Sequence, residues 1–440
     1  MDTQVLESST GAGESINPTA PWPPWLCVAF RFCLVYFGLF CVGTQTGPAL
    51  IAIPTVELPD PATLPPFRQI VLWSATHIFK TSASQVDTGS GDKAFDWVLA
   101  FCLLVVAFVA TIVWSLINRK RWDYVSLSKW FRVFLRFCRA GQLIVYGMDK
   151  VVPLQMSIPS LFTLVEPFGS LSPMGVLWRS IGVSRGYEAF VGSAELLGGL
   201  LLIVPRTAML GALVALIDMT EVFVLNMTYD VPVKLFSFHL LLMSLFLLAP
   251  ELGRLANFFF LNRPTPPSTQ PLLFPNARAN RVAGVVQICF GAVLLGSSMY
   301  QAHSDWYRRG GGSPKSPLYG IWEVQQMSID GQTRLPLIND SDRWRRAIFQ
   351  APKTMAFQRM DESFARYGVA LSEGKLALTK SDDKNWKASF FYQRPAQDQL
   401  VMDGAMDGHQ VHMRLQLVDH SKFLLVSRGF HWVQEYPFNR

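Results

Sequence analysis

Seven times in its first 300 positions the chain runs through about twenty mostly apolar residues, the length a helix needs to cross a bilayer core. The runs fall at 25–44, 94–117, 131–149, 187–204, 206–226, 233–250 and 282–300. Nothing else constrains the fold as tightly. In lipid, only helices and closed barrels satisfy all of their own backbone hydrogen bonds. Composition agrees: 50% of the 440 residues are hydrophobic and 16% are charged, where a soluble domain carries about 25% charged residues. The expectation is a multi-pass α-helical membrane bundle. The run 131–149 is the least apolar, because Arg132, Arg136 and Arg139 interrupt it. The short, charged segment 66–80 (PFRQIVLWSATHIFK) reads as interfacial, with a re-entrant path as the alternative.

The net charge of +7 comes without a polybasic block, so no nucleic-acid partner is expected. The lipid bilayer is the partner the composition requires. The basic loop 118–132 (NRKRWDYVSLSKWFR) belongs in the cytoplasm by the positive-inside rule. Counting spans from it puts the N-terminus inside and the loop 45–93 outside. The turn at 205–207 is then inside, the hairpin NMTYDVPVK (226–234) outside, and residues 303–440 outside. In a bacterial-type cell this is an inner-membrane protein with a periplasmic C-terminal domain. Residues 1–24 are rich in Ser, Thr, Gly and Pro, and are expected to be disordered. They lack the basic region of a signal peptide. The cysteines (27, 33, 41, 102, 138 and 289) lie in or beside apolar runs with no CxxC, and read as packing residues.

The composition changes after Tyr300. Residues 303–317 form a polar, Gly/Pro-rich linker. From 318 to 440, segments of strand character follow one another: YGIWEVQQMSI, TMAFQRM, KLALTK, WKASFFYQ, QLVMDG, HQVHMRLQL and KFLLVSRGF. Turn residues separate them (IDGQ, SEGK, MDGAMDGH), and several alternate apolar with polar positions. The expected fold is a C-terminal antiparallel β-barrel or sandwich.

Charges inside the spans mark the candidate site. At about 1.5 Å of rise per residue, Glu195 lies about 12 Å below the outer end of the fourth run, Asp218 and Glu221 about 8–14 Å below that of the fifth, and His239 about 8 Å below that of the sixth. Each buried charge costs about 2.5–3.5 kcal/mol on insertion scales, so several at one depth should face one another or a wet cavity. Glu195, Asp218, Glu221 and His239 are therefore the candidate catalytic residues. Tyr146 and Lys150, at the outer end of the third run, and Asp230 and Lys234, in the hairpin, are the candidate substrate-binding residues. The hairpin would be the outer lid of this pocket, turned at Pro232. Asp218 and Glu221 share a helix face. They need a proton between them or a nearby cation such as Lys234. The other reading of these charges is a set of satisfied ion pairs between helices. His409 and His412 fall on opposite faces of a strand, and no metal signature, phosphate loop or dinucleotide fingerprint occurs, so no metal site is expected.

The stretch YEAFVGSAELLGGLLLIVPRTAMLGALVAL resembles the core of DoxX/DoxD-like membrane proteins. These carry a G-x-x-E-L-x-x-G-L-L-L helix followed by R-T-x-x-L-G-A. YGMDKVVPLQ, LSPMGVLW and LNMTYDVPVKLFSFHLLLMSLFLL extend the likeness over about 135–262. The resemblance implies a membrane redox component, quinone-linked and acting with partner subunits. It makes Glu195 the first residue to carry a role, followed by Asp230 and Lys234. The chain departs from the minimal four-helix form in its extra spans and outer domain. In YGIWEV, the G-x-W at Gly320–Trp322 resembles a lipocalin-like barrel, which would set Trp322 under an Arg from the last strand, here Arg428. That likeness implies the alternative function, a non-enzymatic protein binding a small apolar ligand inside the outer barrel. Transport of a small solute is disfavoured, because the inner halves of the fourth and sixth runs are nearly pure Leu, Ile and Val.

Overall fold

The computed structural model describes residues 22–439 apart from 52, 54–55, 57, 119–122, 269–270 and 384. The expected disordered start lies outside the described residues up to position 21, and so do Arg119, Lys120 and Arg121 of the basic loop. The membrane region contains ten helices among the described residues. They are α1 (Pro24–Gly43), α2 (Phe67–His77), α3 (Ala94–Ile117), α4 (Val125–Val151), α5 (Pro173–Gly182), α6 (Arg185–Ile203), α7 (Ala208–Thr228), α8 (Lys234–Leu248), α9 (Leu252–Phe259) and α10 (Ala277–Arg308). Six stretches are long and apolar enough to cross a membrane: α1, α3, α6, α7, α8 continued through α9, and α10.

The remaining long helix, α4, fails that test because of its charges, yet it stands at the centre. It packs on α1, α6, α8 and α10, and most of its residues from Phe131 to Lys150 are buried. Its arginines serve the ends of its neighbours. A helix leaves its last four carbonyls without partners. Arg136 donates to the Leu202 and Ile203 carbonyls that end α6, at 2.8 and 3.0 Å. Arg132 donates to the Leu247 carbonyl at the end of α8, 2.6 Å away. Arg139, fully buried, donates Nε–H to Ser244 of α8 at 3.0 Å and Nη2–H to the Ala215 carbonyl of α7 at 3.3 Å. Arg136 also donates to Gln287 of α10 at 2.7 Å, so the residues that weaken this run as a membrane span are what bind it to four other helices.

Small residues let α4 and α6 touch. A Cβ at Gly192 would stand 2.6 Å from the Gly147 carbonyl oxygen, and one at Gly147 would stand 2.8 Å from that of Gly192. Near the α6–α7 turn, a Cβ on Gly211 of α7 would stand 2.5 Å from the Leu202 amide of α6. Backbone contact of this kind is how helices associate in lipid. The short helix α2 packs against the turn at Pro61–Thr63 and against α3, the latter through Val71, Ala75, Phe95 and Val98. It leaves Phe67, Ile70 and Trp73 exposed.

α10 reaches Arg308, beyond the expected start of the linker. The strands that follow are β1 (Gly320–Ile329), β2 (Gln332–Thr333), β3 (Trp344–Ala351), β4 (Thr354–Arg359), β5 (Phe364–Ser372), β6 (Lys375–Thr379), β7 (Lys387–Ala396), β8 (Gln399–Met406) and β9 (His409–Val418). All neighbours are antiparallel. β1 also pairs with β9, from Ile321↔Val418 to Ile329↔Val411, which closes an eight-stranded barrel with the two-residue β2 as an appendage. The sequence left barrel or sandwich open, and the structure is a barrel. Its interior is filled by side chains, among them Trp322, Phe349, Phe357, Phe390, Met402 and Met413, each no more than 1% exposed. Eight strands leave an interior that side chains can fill.

Two expectations for this domain are corrected. KFLLVSRGF is not a strand: it holds a 3-10 turn and the short helix α11 (Leu424–Ser427). Arg428 follows α11 in an exposed tail, bonded to Gln434 and lying over Phe438. The guanidinium over the Trp322 ring belongs to Arg394 of β7, 5.4 Å from its centroid. The strands β3 and β5 went unrecognised because Arg345, Arg346 and Arg366 break up their apolar alternation.

Candidate functional site

A cavity of about 630 Å³ opens within the bundle. One face of α4 forms its first wall, where Arg139, Gln142, Leu143, Tyr146 and Lys150 recur at three- and four-residue intervals. A single helical stripe does this. α6 adds Tyr187, Val191 and Glu195, four residues apart. α7 adds Asp218, Glu221, Val222 and Leu225, and α8 adds Phe236, Ser237 and Leu240. The roof is α5, whose Met174, Leu177, Trp178 and Ile181 lie on one face, together with Val231–Val233 of the hairpin.

The charged groups divide into a closed set and an open set. Lys150 Nζ lies 2.7 Å from each carboxylate oxygen of Glu195, and these side chains are 6% and 2% exposed. Glu195 stands on α6 beside the Gly192–Gly147 contact, and that contact brings α4 close enough for Lys150 to reach it. Asp218 and Glu221 form the open set, facing the cavity from α7. Asp218 Oδ2 and Arg139 Nη1 are both buried and have no hydrogen-bond partner among the described residues. Tyr146 accepts a hydrogen bond from Gln45 Nε2 at 3.0 Å, which ties the wall to the chain just after α1.

Three expected site residues stand elsewhere. His239 is buried but lies against α1 and does not line the cavity. Its ring stacks on Phe40 at 4.1 Å. Its Nδ1 lies 2.7 Å from the Leu235 carbonyl, an acceptor, so Nδ1 carries the proton and Nε2 accepts from the Tyr36 hydroxyl at 2.6 Å. This is a satisfied core histidine. Asp230 is exposed and pairs with Lys234 at 2.8 Å. Lys234 is held between Asp230 and Asp92 and does not line the cavity, so it is not the cation beside Asp218 and Glu221. Pro232 does lie at the roof as expected.

Sequence reasoning missed what secures the lid. Asp92, in the loop before α3, accepts the Lys234 and Leu235 amides at 2.9 Å each, capping α8 from 142 positions away. The Gly91 amide donates to the Pro232 carbonyl at 2.8 Å. No local pattern announces a cap supplied from so far away. Arg139 was also missed as a cavity residue, having been read only as an interruption. Roof helix α5 had a legible signal in Met174, Leu177, Trp178 and Ile181, at helical spacing.

The loop between α4 and α5 docks on the outside of the barrel. Leu161, Phe162, Leu164 and Val165 cover Ile321, Ile348 and Phe364. The Leu161 amide donates to Gln350 Oε1, and Gln358 Nε2 donates to the Val165 carbonyl, both at 3.0 Å. The same loop holds the roof, since Trp178 Nε1 donates to the Gln155 carbonyl at 3.1 Å. The Met156 amide donates to Glu188 of α6 at 3.0 Å.

Three of the six cysteines (27, 41 and 138) are buried. No group of three or more metal-ligating side chains occurs among the described residues. His409 pairs with Asp330 at 2.7 Å and His412 with Asp403, so the two histidines part as their strand geometry requires.

Fold and site together define a membrane-embedded helical bundle with an internal, partly charged cavity and a closed β-barrel docked on one of its loops. The chain is 32% identical over 132 residues to the uncharacterized protein YwoB of Bacillus subtilis strain 168, a match spanning 28% of this chain and 75% of that protein. The chain belongs to the same family as that protein. No family profile matches it, and no solved structure does.

Proposed function

We propose that the bundle is a DoxX-like membrane redox component whose cavity receives a lipid-soluble carrier of quinone type. The observation that carries this reading is the cavity itself. Sites for small molecules are typically about 300–1,000 Å³, mostly apolar, with a few placed polar groups. About 630 Å³ walled by Leu143, Val191, Val222, Leu225, Phe236 and Leu240, with charges at set positions, fits that description. α6 and α7 touch at their inner ends through Gly211. Farther out, Val191 and Leu225 face the cavity, a geometry suited to entry from the lipid. Glu195 keeps Lys150 in place, and Asp218 and Glu221 are free to exchange protons with a carrier. The alternative, an apolar ligand within the barrel, has less support because that interior is filled by side chains.

The same reading takes α4 as a seventh span, shielded by its neighbours. It sets the N-terminus in the cytoplasm of a bacterial-type inner membrane and the barrel outside. Partner subunits would supply or remove the electrons. The test is purification in native lipid nanodiscs with mass spectrometry of bound small molecules. A quinone or its quinol retained by the wild-type protein and lost from Glu195→Gln is the expected result. Retention of neither form by either protein would refute the carrier site.

A further inference from the structure

The inner end of the cavity holds one donor and one acceptor that the protein leaves without partners. Arg139 is fixed by two bonds, Nε–H to Ser244 Oγ and Nη2–H to the Ala215 carbonyl. Nη1 is left over. Asp218 stands one turn beyond Ala215, whose carbonyl that guanidinium holds, on the same face of α7, and its Oδ2 is left over as well. The residue is 0% exposed for Arg139 and 9% for Asp218, and both line the cavity. Buried polar groups are almost always bonded in native proteins, so an orphaned pair at the end of a ligand-sized space points to a missing group. A guanidinium can only donate and an ionised carboxylate can only accept. A carbonyl could serve Arg139 but not Asp218, whereas one hydroxyl serves both.

We infer that the inner end of the cavity holds a hydroxyl-bearing head group, which donates to Asp218 Oδ2 and accepts from Arg139 Nη1. The form of the carrier held there is therefore the reduced, dihydroxy one. This rests on the proposed reading of the cavity as a carrier site and names the form that site selects. Glu221 is one turn nearer the mouth and takes no part in the selection. Lys150 and Glu195, paired with each other, contribute packing and charge balance.

The experiment measures binding of a short-chain ubiquinol, the matching ubiquinone and the dimethyl ether of the quinol to the full chain in nanodiscs, by quenching of tryptophan fluorescence. Hydrogen bonds to charged groups make the quinol bind at least about tenfold tighter than either of the other two. Asp218→Asn, whose amide can donate as well as accept, brings quinol and quinone to within about threefold. Equal binding of quinol and its dimethyl ether, or tighter binding of the quinone, overturns the inference and leaves the carrier site standing. Binding of none of the three overturns both. If Asp218→Asn does not fold, the wild-type comparison of quinol with its methyl ether decides the matter alone.

Discussion

Lys150 and Glu195 show what a single charged residue does in this chain. A buried pair gains little net stability over apolar residues, but either partner left alone costs about 3–5 kcal/mol. Glu195→Gln is therefore expected to lower the unfolding temperature in nanodiscs well below wild type, and Lys150→Met with Glu195→Met should recover most of the loss. If the double variant is as unstable as the worse single one, the pair has another role. Outside the membrane, Asp330 is held below the usual carboxylate range by the hydrogen bond from His409 and by the Gln410 amide. His409 is held above the usual imidazole value by its hydrogen bond to, and the charge of, Asp330. The contact between the β1–β2 turn and β9 is therefore strongest between those two ranges. It fades as pH rises through the raised His409 value, and again as pH falls through the depressed Asp330 value. Ring resonances of His409 should titrate above an ordinary histidine, and Asp330→Asn should return them to normal.

Helices α4 and α6 carry the architecture because glycine lets them touch. A methyl at position 147 or 192 meets backbone, which cannot move aside. Gly192→Ala should destabilise by about 1–3 kcal/mol, the usual cost of overpacking. Gly284→Ala and Gly296→Ala, in α10, would meet nothing within 4 Å, and should be neutral or stabilising by up to about 1 kcal/mol. Thermal unfolding of the three variants separates close approach from helix propensity. The docked loop makes a second prediction at this scale. Leu161→Asp puts a charge into the contact with Ile321 and Ile348. It should raise hydrogen exchange through 153–182, loosening the roof while the interior strands of the barrel stay protected. Unchanged exchange in α5 would mean that the barrel does not steady the cavity mouth.

At the scale of the whole molecule, α10 ties the two parts together. Its 32 residues extend about 48 Å, more than the hydrocarbon thickness of about 30 Å. In the proposed orientation the last turns, with Asp305 paired to Arg308 and Arg309, stand clear of the lipid on the barrel side. The proposed orientation predicts that an epitope inserted at the 330–331 turn is reached by antibody on intact spheroplasts. One inserted at 264–267 is reached only after permeabilisation. Equal access to both would reverse or break the topology.

The apolar runs set the membrane bundle by themselves, since length and hydropathy determine what lipid accepts. Alternation with turn residues likewise announced a β domain. Glu195, Asp218, Glu221, Tyr146 and Lys150 were found by depth alone, because like depths on neighbouring spans bring polar groups together. Rotation about each helix axis is what depth cannot give. It turned His239 toward Tyr36 and Phe40, and brought Arg139 round to the cavity. The tertiary structure also decided that Asp92 caps α8 and that the sheet closes through β1 and β9. Those contacts join positions from about 80 to about 140 residues apart, and no local pattern encodes a partner at that distance.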